Sequence, residues 1–168
     1  MARVSGTPGK TREVNFFRVD AIPERGGVSP DDPAATPATL LFHLVDLPGY
    51  GYARVPKGVR DSWKPLIEDY LSRSEELRGV IQLVDARHAP TSDDLRMLEF
   101  LATLGTPALV VLTKVDKLKR SERKQQVESI AGTLELDMEQ IVPFSAKTGE
   151  GREALLDALE ALLSAPRT

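Results

Sequence analysis

The sequence predicts an α/β fold, a mostly parallel sheet with helices on both faces. Two observations carry this. From Gly79 onward, apolar runs of strand length alternate with stretches of helical periodicity, in the order strand, helix, strand, helix, strand, helix. That alternation demands crossover connections and hence parallel pairing. Residues 79–85 and 108–112 are also nearly continuous in apolar side chains, the pattern of strands covered on both faces. Ligands of such sheets bind at the carboxyl ends of the strands, so the loops after Val45, Val84, Leu112 and Phe144 are expected to cluster on one edge.

The elements follow in order. Residues 1–10 show neither helical nor strand period. The string Gly6-Thr7-Pro8-Gly9-Lys10-Thr11 invites reading as a Walker A loop, which needs Gly, four residues, then Gly-Lys-Ser/Thr. Counting back from Gly9-Lys10-Thr11, the first position is Val4, so it is not one. Residues 14–20 read as a strand. Residues 21–38, with Pro23, Pro30, Pro33, Pro37 and Gly26-Gly27, read as a long flexible hairpin loop. Residues 39–45 form the second strand and deliver Asp46 to a turn. Val59, Trp63, Leu66, Ile67, Tyr70 and Leu71 then recur at helical spacing. Pro65 inside this pattern is expected to kink the helix, or to delay its regular part to about Lys64. After the strand at 79–85, Thr91 or Ser92 caps a helix with a stripe of Leu95, Leu98, Leu101 and Ala102, ended by Gly105. Ser121 caps the next helix, which carries Val127, Ile130 and Leu134. Residues 140–144 make a short last strand. The last helix spans 152–163, with Ala154, Leu155, Ala158, Leu159 and Leu162 inward.

Composition sets the outer bounds. A chain of 168 residues suggests one domain over residues 1–168. A net charge of −3 at pH 7 gives no bulk reason to expect nucleic acid, so a basic surface would have to be local. The local basic features are Lys57, Arg60, Lys64 and the run 117–124, solvated faces by default. The absence of cysteine excludes disulfides and thiolate metal sites and fits a reducing cytoplasm. No apolar run has the length of a membrane span, so no membrane partner is expected.

Three strand ends carry distinctive strings. After the second strand comes Asp46-Leu47-Pro48-Gly49. An Asp there can reach Mg2+ through water, and the Gly N–H can approach a terminal phosphate because no Cβ blocks it. After the 108–112 strand comes Thr113-Lys114-Val115-Asp116-Lys117. A carboxylate so placed accepts from guanine N1–H and the exocyclic amine together, a donor pair adenine lacks, while the Lys stem lies along the base. After the last strand comes Phe144-Ser145-Ala146-Lys147-Thr148-Gly149, whose backbone N–H groups can donate to guanine O6. Alone, the first and third strings read more readily as ordinary turns, and the second equally as a solvated charged turn. The order Asp46, Asp116, Ser145, each at a strand end, is the order guanine-nucleotide switches use.

With these strings the chain resembles the EngB family of bacterial ribosome-assembly GTPases. The resemblance rests on residues 2–11 (Ala-Arg-Val-Ser-Gly-Thr-Pro-Gly-Lys-Thr), Asn15-Phe16, the run Val45-Asp46-Leu47-Pro48-Gly49-Tyr50-Gly51-Tyr52-Ala53, Trp63, Asp85-Ala86-Arg87-His88-Ala89-Pro90, residues 113–117 and Phe144-Ser145. It implies a Ras-like, P-loop GTPase fold and GTP or GDP as ligand with Mg2+ as cofactor. Thr11 would place its hydroxyl on Mg2+, with Gly9, Lys10, Arg12 and Glu13 lining the same segment. Asp46 would hold Mg2+ through water and Gly49 would contact the γ-phosphate, with Leu47 and Pro48 between them. Thr113, Lys114, Val115 and Asp116 would read guanine, and Phe144, Ser145, Ala146 and Lys147 would complete the pocket. Tyr50 stands where many GTPases carry a water-orienting Gln, so intrinsic hydrolysis is expected to be slow and no catalytic side chain is assigned. His88 is expected to fix its turn. The resemblance also implies a cytoplasmic monomer that acts on the large ribosomal subunit, through its RNA and proteins, and is associated with cell division and septation.

The sequence departs from the family pattern in one respect. Members carry a strand, a Gly-x-x-x-x-Gly-Lys-Ser loop and a helix before the Ala-Arg-x-Ser segment, and here the chain starts inside that segment. The expectation is therefore a G domain without its first strand, P-loop and first helix, in which guanine recognition remains and phosphate affinity and hydrolysis are impaired. The alternative is a ribosome-binding remnant that does not hydrolyse GTP, or a gene-model fragment unable to bind GTP tightly.

Overall fold

The computed structural model describes residues 14–21, 40–48 and 57–165, with side chains in the helix at 57–73 described from residue 64. It divides into two compact units, Met1–Tyr70 and Leu71–Thr168.

In the first unit, β1 (Asn15–Ala21) pairs antiparallel with β2 (Leu40–Asp46), from Asn15↔Asp46 to Ala21↔Leu40. Each strand sits one residue later than the sequence pattern suggests. Asn15, Phe17, Val19 and Ala21 are half-buried and Phe16, Arg18 and Asp20 exposed, the period-two signature of a strand covered on one face. The antiparallel pairing suits a hairpin; most of its connection, the predicted loop at 21–38, lies outside the described residues. The helix α1 (Lys57–Arg73) runs from this unit into the next with Pro65 inside it, so its regular part is not held back to Lys64. Ile67 is buried on this helix, and the Tyr70 ring meets Phe16 edge-on with centroids 6.0 Å apart.

In the second unit, β3 (Val80–Asp85), β4 (Ala108–Thr113) and β5 (Ile141–Pro143) form a parallel sheet in that order, with β4 central. The connections are α2 (Ser92–Thr103) and α3 (Arg123–Leu134), and α4 (Arg152–Ser164) follows β5. Register sorts the side chains by face. Val84, Val110, Leu112 and Ile141 pack with Val127, Ile130, Ala131 and Leu134 of α3 and with Leu95 and Leu98 of α2. Leu109, Val111 and Val142 pack with Leu155 and Ala158 of α4. Helices therefore cover both faces, as the strand and helix alternation requires. Leu83 pairs with Val111 on the face that α4 covers, yet it is 66% exposed at the outer strand.

The termini of the helices show where local chemistry wins. Thr91, not Ser92, is the N-cap of α2. Its hydroxyl accepts from the Asp94 N–H, and Asp94 answers by accepting from the Thr91 N–H, a reciprocal capping box. Ser121 does not cap α3. The chain first closes a turn through Glu122 N–H to the Lys119 carbonyl (2.9 Å), and the helix starts at Arg123 without a side-chain cap. Ala102 and Ala154, expected inward, are exposed. Each is adjacent in sequence to an apolar residue of its stripe, Leu101 or Leu155, and one residue is about 100° of helical turn, enough to leave a narrow stripe. Leu155, Ala158, Leu159 and Leu162 are half-buried as expected.

The loop from β5 to α4 depends on two glycines in left-handed conformation, Gly149 and Gly151, both with φ 79°. A Cβ at Gly149 would meet nothing within 4 Å, whereas one at Gly151 would run into the Pro143 carbonyl oxygen. Gly149→Ala is therefore expected to cost only its backbone strain, about 1–2 kcal/mol, and Gly151→Ala clearly more, through strain plus overpacking of about 1–3 kcal/mol. Urea unfolding of both variants checks the order; equal midpoints would contradict it.

Candidate functional site

The site is built where β3, β4 and β5 end. The central strand is fixed from both sides and both faces: Val110 and Leu112 are fully buried, and Val111 nearly so. Past Leu112 the strand ends are tied together by hydrogen bonds. The Thr113 hydroxyl donates to the Val84 carbonyl (3.1 Å), and Ala86 N–H donates to the Thr113 carbonyl (3.0 Å). Phe144 N–H donates to the Leu112 carbonyl (2.8 Å), and Val115 N–H donates to the Phe144 carbonyl (3.3 Å). The loops after Val84, Leu112 and Phe144 thus share one edge, as expected for this sheet. The loop after Val45 belongs to the other unit.

Lys114 adopts a left-handed backbone (φ 63°, ψ 29°), uncommon for a residue with a long side chain. It lets the chain turn into a short 3-10 segment, Val115–Lys117, in which Val115 is fully buried while Asp116 keeps access to solvent. The Ser145 hydroxyl, fully buried, donates to Asp116 Oδ1 at 2.8 Å and accepts from Thr148 N–H at 3.3 Å. Ser145 is itself held by its N–H on the Glu150 carbonyl and by Gly149 N–H on its own carbonyl, both 2.9 Å. The hydrogen bond from Ser145 holds the Asp116 carboxyl below its ordinary range, with smaller help from the charges of Lys117 and Lys147. Asp116 is therefore an ionised carboxylate with one oxygen fixed, suited to accept two N–H groups from a planar ligand edge.

A second carboxylate stands at the end of β3. Asp85 takes a two-pronged contact from Arg87 (Nε to Oδ1 2.9 Å, Nη2 to Oδ2 2.7 Å), the Arg87 backbone N–H (3.1 Å), and the Lys114 ammonium (Nζ to Oδ2 2.7 Å). Arg87 first, and then Lys114, hold the Asp85 carboxyl far below the usual carboxylate range against the opposing effect of its burial. The sequence reading gave Asp85 and Arg87 no place in the site. The signal that could have found them was the position of Asp85, one residue past Val84 at a strand's carboxyl end.

Other predicted residues are placed as follows. Phe144 is half-buried against the Leu109, Val111 and Val142 cluster, and Ala146 and Lys147 are exposed on the loop after β5. Asp46 ends β2 with its residue exposed, Leu47 is half-buried and Pro48 buried. Gly9, Lys10, Thr11, Arg12, Glu13, Gly49 and Tyr50 lie outside the described residues, as does the side chain of Trp63. His88 is exposed, and its backbone N–H donates to the Asp85 carbonyl (3.2 Å), which fits a place in the turn. Among the described residues no cluster of three or more His, Cys, Asp or Glu could hold a metal on its own, and no helix is long and apolar enough to cross a membrane.

Known proteins resemble this chain. The family model described as "50S ribosome-binding GTPase" matches residues 1–114, and that described as "Elongation factor Tu GTP binding domain" matches residues 68–165. A "Probable GTP-binding protein EngB" of Gemmatimonas aurantiaca is 48% identical over 98% of this chain and 72% of its own length. One of Halothermothrix orenii is 46% identical over 91% of this chain and 68% of its own length. Among solved structures, "a probable GTP-binding protein engB" superposes with a TM-score of 0.65 at 23% identity, over 72% of this chain and 76% of that one. Aquifex aeolicus Era, bound to GDP.AlF4-, gives 0.66 at 23% identity, over 98% of this chain and 48% of that one. At such identities the structures support the P-loop GTPase fold, while the curated relatives settle the family. The chain belongs to the EngB family of GTP-binding proteins.

Proposed function

We propose that this chain binds GTP and GDP through the guanine base, at the edge formed by residues 113–116 and 144–147, and acts as a GTPase in assembly of the large ribosomal subunit. The observation that supports base recognition most directly is the Asp116 carboxylate, ionised, solvent-accessible and oriented by a buried serine. Guanine offers N1–H and an exocyclic amine as adjacent donors, and a fixed carboxylate takes both. The curated relatives support the nucleotide, and the family description "50S ribosome-binding GTPase" supports the ribosomal partner. The alternative, a ribosome-binding remnant that does not hydrolyse GTP or a gene-model fragment unable to bind it tightly, is not favoured by these relatives.

Mg2+ fits the residues present in a limited sense. Bound beside nucleotide phosphates, Mg2+ takes only one or two protein carboxylates and keeps several waters. Asp46, exposed at the end of β2, is one such carboxylate, and Thr11 would add a hydroxyl. When bound, the ion would neutralise charge on the β- and γ-phosphates. Gly9, Lys10, Arg12, Glu13 and Gly49 complete the proposed phosphate-facing set, with Leu47 and Pro48 carrying the turn from Asp46. A single monomeric domain in the cytoplasm, with a link to cell division and septation, completes the reading. The exposed Lys117, Lys119, Arg120 and Lys124 are the described cations most suited to ribosomal RNA phosphates.

Two experiments test the guanine site. Asp116→Ala should weaken GDP binding by at least about a hundredfold, since two hydrogen bonds to a charged acceptor are lost. Asp116→Asn should transfer preference to xanthosine diphosphate, whose C2 carbonyl accepts from the new amide. Calorimetric titration with both nucleotides reads this out, and unchanged GDP affinity in either variant would sink the site. The second experiment uses pH. A lowered carboxyl pKa means Asp116 stays ionised as pH falls, and its contribution disappears only as pH drops through the lowered value. The part of the GDP affinity that Asp116 supplies, read against Asp116→Ala at each pH, should therefore persist below the pH at which an ordinary aspartate takes its proton. In Ser145→Ala the fall should begin at higher pH. The same acid limb in both proteins would show that Ser145 does not tune Asp116.

A further inference from the structure

The Asp85-Ala86-Arg87-His88 string is not absorbed by the guanine reading, and its geometry has a direction. Asp85 stands at the end of β3 and Lys114 just past the end of β4, in register with each other's strands through the Asp85↔Thr113 pair. The Lys114 ammonium reaches across to Asp85 Oδ2 at 2.7 Å. Asp85 cannot swing with it, because Arg87 grips both carboxylate oxygens and donates its backbone N–H to Oδ1. The turn is closed again by His88 N–H on the Asp85 carbonyl. Lys114 is half-exposed and Asp85 about a quarter exposed, so this contact is not a pair sealed away from the ligand side.

We propose that Asp85, clamped by Arg87, is a positioning residue that immobilises Lys114 for the base of a bound guanine nucleotide. The proposal rests on the guanine reading and extends it to a residue whose side-chain hydrogen bonds go to Arg87 and Lys114. A free lysine has a flexible four-carbon stem, and ordering such a side chain on binding costs about 0.5–1.5 kcal/mol. Tying its ammonium to a rigid carboxylate settles that ordering before the ligand arrives. The stem then spans from the end of β4 toward the end of β3, along the edge on which Asp116 stands. The ion pair alone, half-exposed, would add little to fold stability, so its worth lies in holding this geometry. Arg87, with five donors in a planar fork, is the residue type that can lock a carboxylate through both oxygens while leaving one of them a second partner.

The test combines a double-mutant cycle on the full chain with a ligand-free readout. Asp85→Asn is expected to weaken GDP binding about three- to tenfold, the equivalent of the ordering cost above. Asp85→Glu should recover part of the loss by restoring the charge. In a Lys114→Met background, Asp85→Asn should cause no further loss. Side-chain NMR of labelled Lys114 without nucleotide should show an ordered ammonium in the parent and an averaged one in Asp85→Asn. Arg87→Gln keeps the Asp85 charge but frees it to swing, and serves where Asp85→Asn does not fold; a smaller loss, again abolished by Lys114→Met, is expected. Full GDP affinity in Asp85→Asn, an equal loss with and without Lys114, or an unchanged Lys114 signal would overturn the proposal alone. A parent chain that takes no GDP at millimolar concentration would overturn the guanine reading, and this proposal with it.

Discussion

The constraint on which the site depends is the immobility of β4. A strand hydrogen-bonded on both sides and covered on both faces has no freedom to shift by a residue, because any slip would swap every side chain to the opposite face, into a core close-packed around its present set. Val110, Val111 and Leu112 are essentially without solvent contact, and the side-chain and backbone bonds from Thr113, Val115 and Phe144 carry that rigidity past the end of the strand. The polar loop that follows therefore inherits a position set by apolar packing. Function rides here on a scaffold whose energetics are hydrophobic, which is why a short exposed turn can present a carboxylate reproducibly.

Two carboxylates at this edge are treated in opposite ways. Asp85 is saturated: two cations and a backbone N–H occupy both of its oxygens. Asp116 receives one firm bond from Ser145 and a longer approach from Lys117 at 3.7 Å. Both are pushed toward the ionised form, but only Asp116 keeps acceptor capacity for a ligand. The first is fully engaged within the fold, and the second is left with an oxygen able to accept.

Much of this was legible in the sequence for physical reasons. Strand and helix alternation after Gly79 and the apolar runs at β3 and β4 are periodic signals summed over many residues, and they gave the sheet, its parallel sense and the faces on which Leu95, Val127, Ile130 and Leu155 lie. The Lys114, Asp116 and Ser145 positions followed from motif order at strand ends. Less legible were features decided by a single local contact. Ser121 looks like a cap, but it sits inside the turn closed by Glu122 N–H on the Lys119 carbonyl, and the helix starts beyond it. Ala102 and Ala154 are compatible with either side of a helix, because an alanine exposed or buried changes little area. Asp85 carries part of the family resemblance but received no place in the site, because its contact with Lys114, in another strand's loop, is made only by the fold.

Lys114 also carries a message for anyone engineering this chain. Its left-handed backbone is a conformation in which glycine is at ease and a lysine is under tension. A stability-guided redesign would single it out as a flaw and replace it with glycine. That edit could relax the turn and yield a sturdier protein, while deleting the ammonium that Asp85 holds. The residue that looks worst placed by conformational preference is the one whose side chain links the two strand ends, so thermal stability is the wrong objective for this turn.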